Sequence, residues 1–108
     1  MDCNILFADP ESERIRNIWT ELATHTDQAD PFCCAPAWQL AFQEACDPKR
    51  RLLIKESSGS MLAFAETFAA PDDIFLTPIE TGWFFGCPLL GKHAVELLAD
   101  TLRDLISA

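Results

Sequence analysis

"RLLIKESSGSMLAFAETF", Arg51–Phe68, holds two apolar runs on either side of a polar turn. Arg51 to Glu56 carries a branched apolar run that stops at the turn formers Ser57-Ser58-Gly59-Ser60, and Met61 to Phe68 resumes it. Two such runs around a short polar turn predict an antiparallel hairpin. Side chains alternate across a strand, so Leu62, Phe64 and Phe68 are expected on one face and Ala63, Ala65 and Thr67 on the other. Small residues on that second face let a helix sit close. "APDD" (Ala70–Asp73) is a second turn and "IFLTPIE" (Ile74–Glu80) a third strand. Pro78 has no N–H to give a ladder and therefore marks an edge or a strand end. Three strands joined by short turns make an antiparallel meander.

Helical spacing flanks the meander on both sides. Downstream, Lys92 to Ile106 places Val95, Leu98, Leu102 and Leu105 on one stripe, widened by Leu97 and Ile106. Upstream, "DPESERIRNIWTELATH" (Asp9–His25) has Asp9 as N-cap, Pro10 at the first helical position and acids in the first turn. Ile15, Ile18, Trp19 and Leu22 repeat at helical spacing and leave Glu13, Arg16, Thr20 and Glu21 outward, predicting a helix from Pro10 to Thr24. "CNILFA" (Cys3–Ala8) in front of it reads as a short extra strand. Asp30-Pro31 and Ala35-Pro36 each push the preceding residue out of helical geometry. The chain is therefore expected to run extended until Pro36 opens a second helix, "PAWQLAFQEAC", with Trp38, Ala41, Phe42 and Ala45 as its apolar face. The expected fold is α+β: a three- to four-stranded antiparallel sheet with two N-terminal helices and a C-terminal helix packed on it, in one domain over residues 1–108.

Composition narrows the function classes. A chain of 108 residues with 49% hydrophobic content suits a single globular unit. Seventeen acidic against eight basic residues give a net charge of −9, which repels polyanions, so neither nucleic acid nor an anionic membrane is the expected partner. The one local basic cluster, Lys49, Arg50, Arg51 and Lys55, reads as a solvated turn at the mouth of a strand. Five cysteines, an odd number, behind a Met-Asp-Cys-Asn start without the basic and long apolar regions of a signal peptide point to reduced thiols and a cytoplasmic setting. No apolar run reaches the ~20 residues of a membrane span. Cys33, Cys34, Cys46, Cys87 and His93 do not form a zinc set by spacing, because adjacent cysteines cannot both turn to one metal. The cysteines are expected to be small buried hydrophobes, and no metal is expected.

The candidate site is "IETGWFFGCPLLGKH", Ile79–His93. An aromatic run between glycines and ahead of a helix is expected to plug the core, or else to form a ligand or partner surface through Trp83, Phe84, Phe85, Cys87 and His93. Glu66 shares a strand face with Phe64 and Phe68. Burial there would prepare it as a base, whereas pairing with Arg51 or Lys55 across the hairpin is the plainer reading. His93 in the first turn of a helix is disfavoured as a cation and expected to be exposed, and His25 suits a helix C-terminus. Cys87 and His93 are the nearest nucleophile and base, but the apolar neighbours Pro88, Leu89 and Leu90 mark the thiol as inert.

"DPFCCAPAWQLAF" (Asp30–Phe42), a meander around a polar turn, then "PIETGWFFGCPLLG" (Pro78–Gly91) and an apolar helix together resemble the N-terminal half of GNAT-like acyltransferases. The FemAB-like branch and the acetyltransferases associated with cellulose biosynthesis are the nearest in pattern, over residues 30–107. The resemblance implies the first half of that architecture, with the acyl-donor site in a second half that would follow Ala108. The loop also departs from the family's acyl-CoA motif, since "GCPLLGKH" lacks its arginine or glutamine and close-set glycines, and Pro88 removes a donor. The expectation is a non-catalytic binding or assembly module, completed by a second copy or a protein partner and needing no cofactor. The alternative is a fragment or subunit of an N-acyltransferase that uses acetyl-CoA.

Overall fold

The hairpin forms where the sequence predicts it. In a computed structural model that describes residues 7–70, 73–83 and 85–107, β1 (Leu52–Ser57) pairs antiparallel with β2 (Ser60–Ala70), with Ser57 opposite Ser60. Ser58 and Gly59 both take positive φ, 51° and 79°, as a two-residue type I′ turn requires. β2 is the central strand. On its other edge lies β3 (Asp73–Pro78), antiparallel, with Phe64 opposite Pro78. Pro78 thus closes an outer strand, where its missing N–H costs no ladder bond.

The same edge of β2 also carries β4 (Leu89–Leu90), with Leu62 opposite Leu89 and Met61 opposite Leu90. Two residues along β2, from Phe64 to Leu62, are matched by eleven on the opposite side, from Pro78 to Leu89, so nine residues loop out of what is otherwise one edge strand. The Ala63 N–H donates to the Pro88 carbonyl at 2.9 Å and closes the base of that excursion. On the far edge, Ala8 bridges Ile54 antiparallel. Most of the expected strand Cys3–Ala8 lies outside the described residues, as does the centre of the Ala70–Asp73 turn.

Four helices surround the sheet. α1 (Glu13–Thr24) starts three residues later than expected: Ser12, not Asp9, is the N-cap, its Oγ accepting from the Ile15 N–H at 3.4 Å. Asp9 instead holds a turn of its own, accepting from Glu11 N at its Oδ1 and from Ser12 N at its carbonyl. Residues 31–34 are not extended: α2 (Pro31–Cys34) is a helical turn whose N-cap Asp30 is itself extended, as the residue before proline must be, and accepts from Cys33 N. α3 (Pro36–Cys46) and α4 (Ala94–Ser107) fall where the periodicity places them.

The core lies between α1 and one face of the sheet. Ile15, Trp19, Ala23 and Cys34 pack with Ile54, Met61, Ala63, Ala65, Ile79 and Leu90. The small face of β2 therefore receives the close helix. Trp19 is fully buried and its Nε1–H donates to the Cys34 carbonyl at 2.7 Å, tying α1 to α2. Alternation puts Leu53, Leu62 and Leu89 on the opposite face, where α4, lying against β2 and β4, is the described helix left to cover them. α4 does so with Ala94 and Thr101 fully buried, while Val95, Leu102 and Ile106 of the expected stripe are exposed. The inward line runs one residue to the side of the predicted one, leaving part of the apolar stripe in solvent.

Candidate functional site

α3 buries an unexpected face. Trp38 and Phe42 are only half-buried and Ala41 and Ala45 are exposed, whereas Gln39 and Gln43, one helical turn apart, are buried. Buried amides need partners, and both glutamines find them in backbone. Gln39 Nε2–H donates to the Cys33 carbonyl at 2.6 Å, and its Oε1 accepts from the Glu80 N–H at 3.1 Å. Gln43 Nε2–H donates to the Arg50 carbonyl at 2.8 Å and its Oε1 accepts from Arg50 Nε at 3.0 Å, while Arg50 Nη2 reaches the Ile79 carbonyl at 2.8 Å. The two side chains fix where β3 hands over to the nine-residue excursion.

Glu80 is the hub of that excursion. It is 2% exposed, and its Oε1 accepts from Trp38 Nε1 at 3.3 Å while its Oε2 accepts from the Trp83 N–H at 2.6 Å. A carboxylate with both oxygens occupied by N–H donors is a clamp, not a free acid or base. Further along, Phe85 gives its carbonyl to Asp30 N at 3.0 Å, and Cys87 N donates to Cys34 Sγ at 3.3 Å. Gly86 lies so close to α2 that a Cβ there would meet the Cys33 carbonyl oxygen at 2.4 Å. The loop is thereby pinned on α2 and α3 at four successive points.

This pinning turns the aromatics outward. Trp83 and Phe85 are 63% and 59% exposed, their rings stacked with centroids 6.4 Å apart and planes at 12°. Phe32, 61% exposed, packs at 5.8 Å against Trp38, whose indole N–H is on Glu80. The expectation that the aromatic run plugs the core is therefore corrected for Trp83 and Phe85, whereas Phe84 lies outside the described residues. The reason is local: the core is already filled by Trp19 and Ile79, and the glutamine and Glu80 contacts hold the loop backbone against the helices, leaving its long side chains nowhere inward to go. Gln39, Gln43 and Glu80 carry this arrangement and were not singled out in the sequence; the signal was one acid in an otherwise uncharged stretch and an i, i+4 pair of amides on an apolar helix.

The remaining candidates are dispersed. Cys87 is half-buried against the core, and His93 is exposed just before α4, its backbone N–H donating to Ser60 Oγ at 2.9 Å. Ala94 N is also taken, by the Gly91 carbonyl at 3.4 Å, so two amides at the start of α4 are already engaged and do not face outward as a phosphate cradle needs. Burial pushes the Cys33 and Cys34 thiols up, Cys33 also through the nearby Asp30 carboxylate. Cys46 is exposed. Among the described residues no three His, Cys, Asp or Glu side chains are grouped to hold a metal ion, and no helix is long and apolar enough to cross a membrane. No family model, curated protein or solved structure matches this chain.

Proposed function

We propose that the chain is a non-catalytic binding or assembly module that pairs with a second copy of itself through the Trp83–Phe85 platform. The observation that carries this reading is a stacked, exposed aromatic pair on a backbone fastened by buried hydrogen bonds. Exposed aromatics on a rigid support are what interface anchors are made of, because little ordering entropy remains to be lost on docking. A second copy fits in spite of the net charge of −9. Between Ile79 and Leu90 the only charged residue is Glu80, and it is turned inward, so two platforms can meet about a two-fold axis without opposed carboxylates in the loop. The resemblance to the first half of GNAT-like acyltransferases is consistent with a unit that is completed by association.

The test sets association against acyl-donor binding. Light scattering across a concentration series is expected to give a dimer that a Trp83→Ser/Phe85→Ser double variant converts to monomer. Saturable thermal stabilisation by acetyl-CoA would instead favour the acyltransferase reading, and a monomer at every concentration overturns self-pairing.

A further inference from the structure

A second feature lies midway along β2, at Glu66, two residues beyond the Phe64 that stands opposite Pro78. Glu66 is 7% exposed, yet among the described residues no side chain hydrogen-bonds or ion-pairs with its carboxylate; only its backbone is used, Glu66 N donating to the Arg51 carbonyl at 2.9 Å. Its oxygens are not sealed away either, because no buried side-chain oxygen in the described structure lacks a partner. They open into a cleft of about 400 Å³ lined by Asp47, Lys49, Arg50, Arg51, Glu66 and Thr67. Arg51 stands directly across from Glu66 in the ladder, the position from which it would be expected to neutralise the acid. It does not: its guanidinium lies over the Phe7 ring, 5.9 Å from the centroid. Arg50 is spent on Gln43 and Ile79, and among the described residues Lys49 forms no ion pair.

Glu66 is nine-tenths buried as a residue, yet its carboxylate opens on the cleft with no protein partner, beside two arginines that are held elsewhere, and that arrangement points to a ligand. We propose that this cleft binds a small zwitterion of the α-amino acid type, its ammonium on Glu66 and its carboxylate on Lys49. The charge balance selects that class. The walls carry Asp47 and Glu66 against Lys49, Arg50 and Arg51, so a bare anion would meet Glu66 and a bare amine would meet three cations. A molecule with both charges satisfies each wall. The site is independent of self-pairing through Trp83 and Phe85, and it gives a role to the basic cluster that the sequence alone assigns to a solvated turn.

The experiment is a calorimetric titration of the full chain with the common L-amino acids, each matched to its carboxylic acid without the amine and its amine without the carboxylate, as propionate and ethylamine are to alanine. The expected result is saturable binding of at least one amino acid, at least tenfold tighter than either matched fragment. Glu66→Gln is expected to weaken that amino acid tenfold or more and to leave the carboxylic acid's binding no weaker, while the melting temperature stays level or rises because no protein contact of the carboxylate is lost. Trp83→Ser/Phe85→Ser is expected to bind the amino acid as the parent does. Absence of binding, fragments as tight as the intact zwitterion, unchanged affinity in Glu66→Gln, or a clear fall in its melting temperature each overturns the proposal.

Discussion

Replacing Gly86 by alanine strikes the contact that seats the aromatic loop. A Cβ at this position would lie 2.4 Å from the Cys33 carbonyl oxygen, 2.9 Å from the Cys33 carbonyl carbon and 2.9 Å from Gln39 Nε2. Ordinary contact needs about 1 Å more than the shortest of these. Two of the three atoms are backbone, and the third is the amide that donates to that same carbonyl at 2.6 Å, so none can yield without breaking a bond. Forced overpacking costs about 1–3 kcal/mol. Losing the Gln39 bond to Cys33 or the Asp30 N–H bond to Phe85 adds about 1 kcal/mol. The sum is about 2–4 kcal/mol, which at about 4 °C per kcal/mol lowers the melting temperature by about 8–16 °C. Gly82→Ala is the control: its Cβ would meet nothing nearer than Phe42 Cε2 at 3.4 Å, and it should cost less than about 0.5 kcal/mol. Urea unfolding followed by tryptophan fluorescence measures both. If Gly86→Ala falls within about 0.5 kcal/mol of Gly82→Ala, the loop is not held against α2 and the account of why Trp83 and Phe85 face outward is wrong.

Three further outcomes follow from the same contacts. Trp19→Phe keeps an aromatic ring but leaves the buried Cys34 carbonyl without its donor, and calorimetry should show a loss of about 1–3 kcal/mol. Ser12→Ala should cost about 1 kcal/mol in denaturant melts, and Asp9→Ala, at an exposed turn outside the helix, only a few tenths. The raised Cys33 and Cys34 thiols bind their protons more tightly folded than unfolded, so their contribution is complete below the ordinary thiol pKa of about 8.5 and is lost as pH rises from there through the folded values. Melts above pH 8.5 should therefore fall more steeply for the parent than for a Cys33→Ala/Cys34→Ala variant, and a thiol reagent should modify exposed Cys46 well before either buried cysteine.

Much of the fold was legible because local signals agreed with tertiary demand. The alternation in Met61–Thr67, the Ser-Ser-Gly-Ser turn and the spacing of Ile15, Ile18, Trp19 and Leu22 each specify one element, and each forms. Three features were not legible, for different reasons. Asp9 and Ser12 both precede a helical run and both can cap, so pattern alone does not rank them; the turn that Asp9 makes with Glu11 and Ser12 settles the choice for Ser12. β4 is two residues long and pairs with β2 only after a nine-residue detour, a non-local register that no short window contains. Gln39 and Gln43 look solvent-facing by composition, and only the non-local backbone of Cys33, Arg50 and Glu80 that their amides engage makes that face the buried one. For the site, the stretch Ile79–His93 was recognisable, but the exposure of Trp83 and Phe85 depends on those amides and so could not be read beforehand. Glu66 was visible as a strand carboxylate, whereas the diversion of Arg51 onto Phe7 was not.

The proposal that the Trp83–Phe85 platform joins two copies of this chain is open to direct measurement. Sedimentation velocity on the parent and on the Trp83→Ser/Phe85→Ser variant, over the same concentration series, reads it out. A monomer–dimer equilibrium is expected for the parent and a single monomeric species for the variant, with superimposable circular dichroism spectra showing that the fold is retained. A parent that stays monomeric throughout, or a dimer that survives loss of both rings, would contradict it.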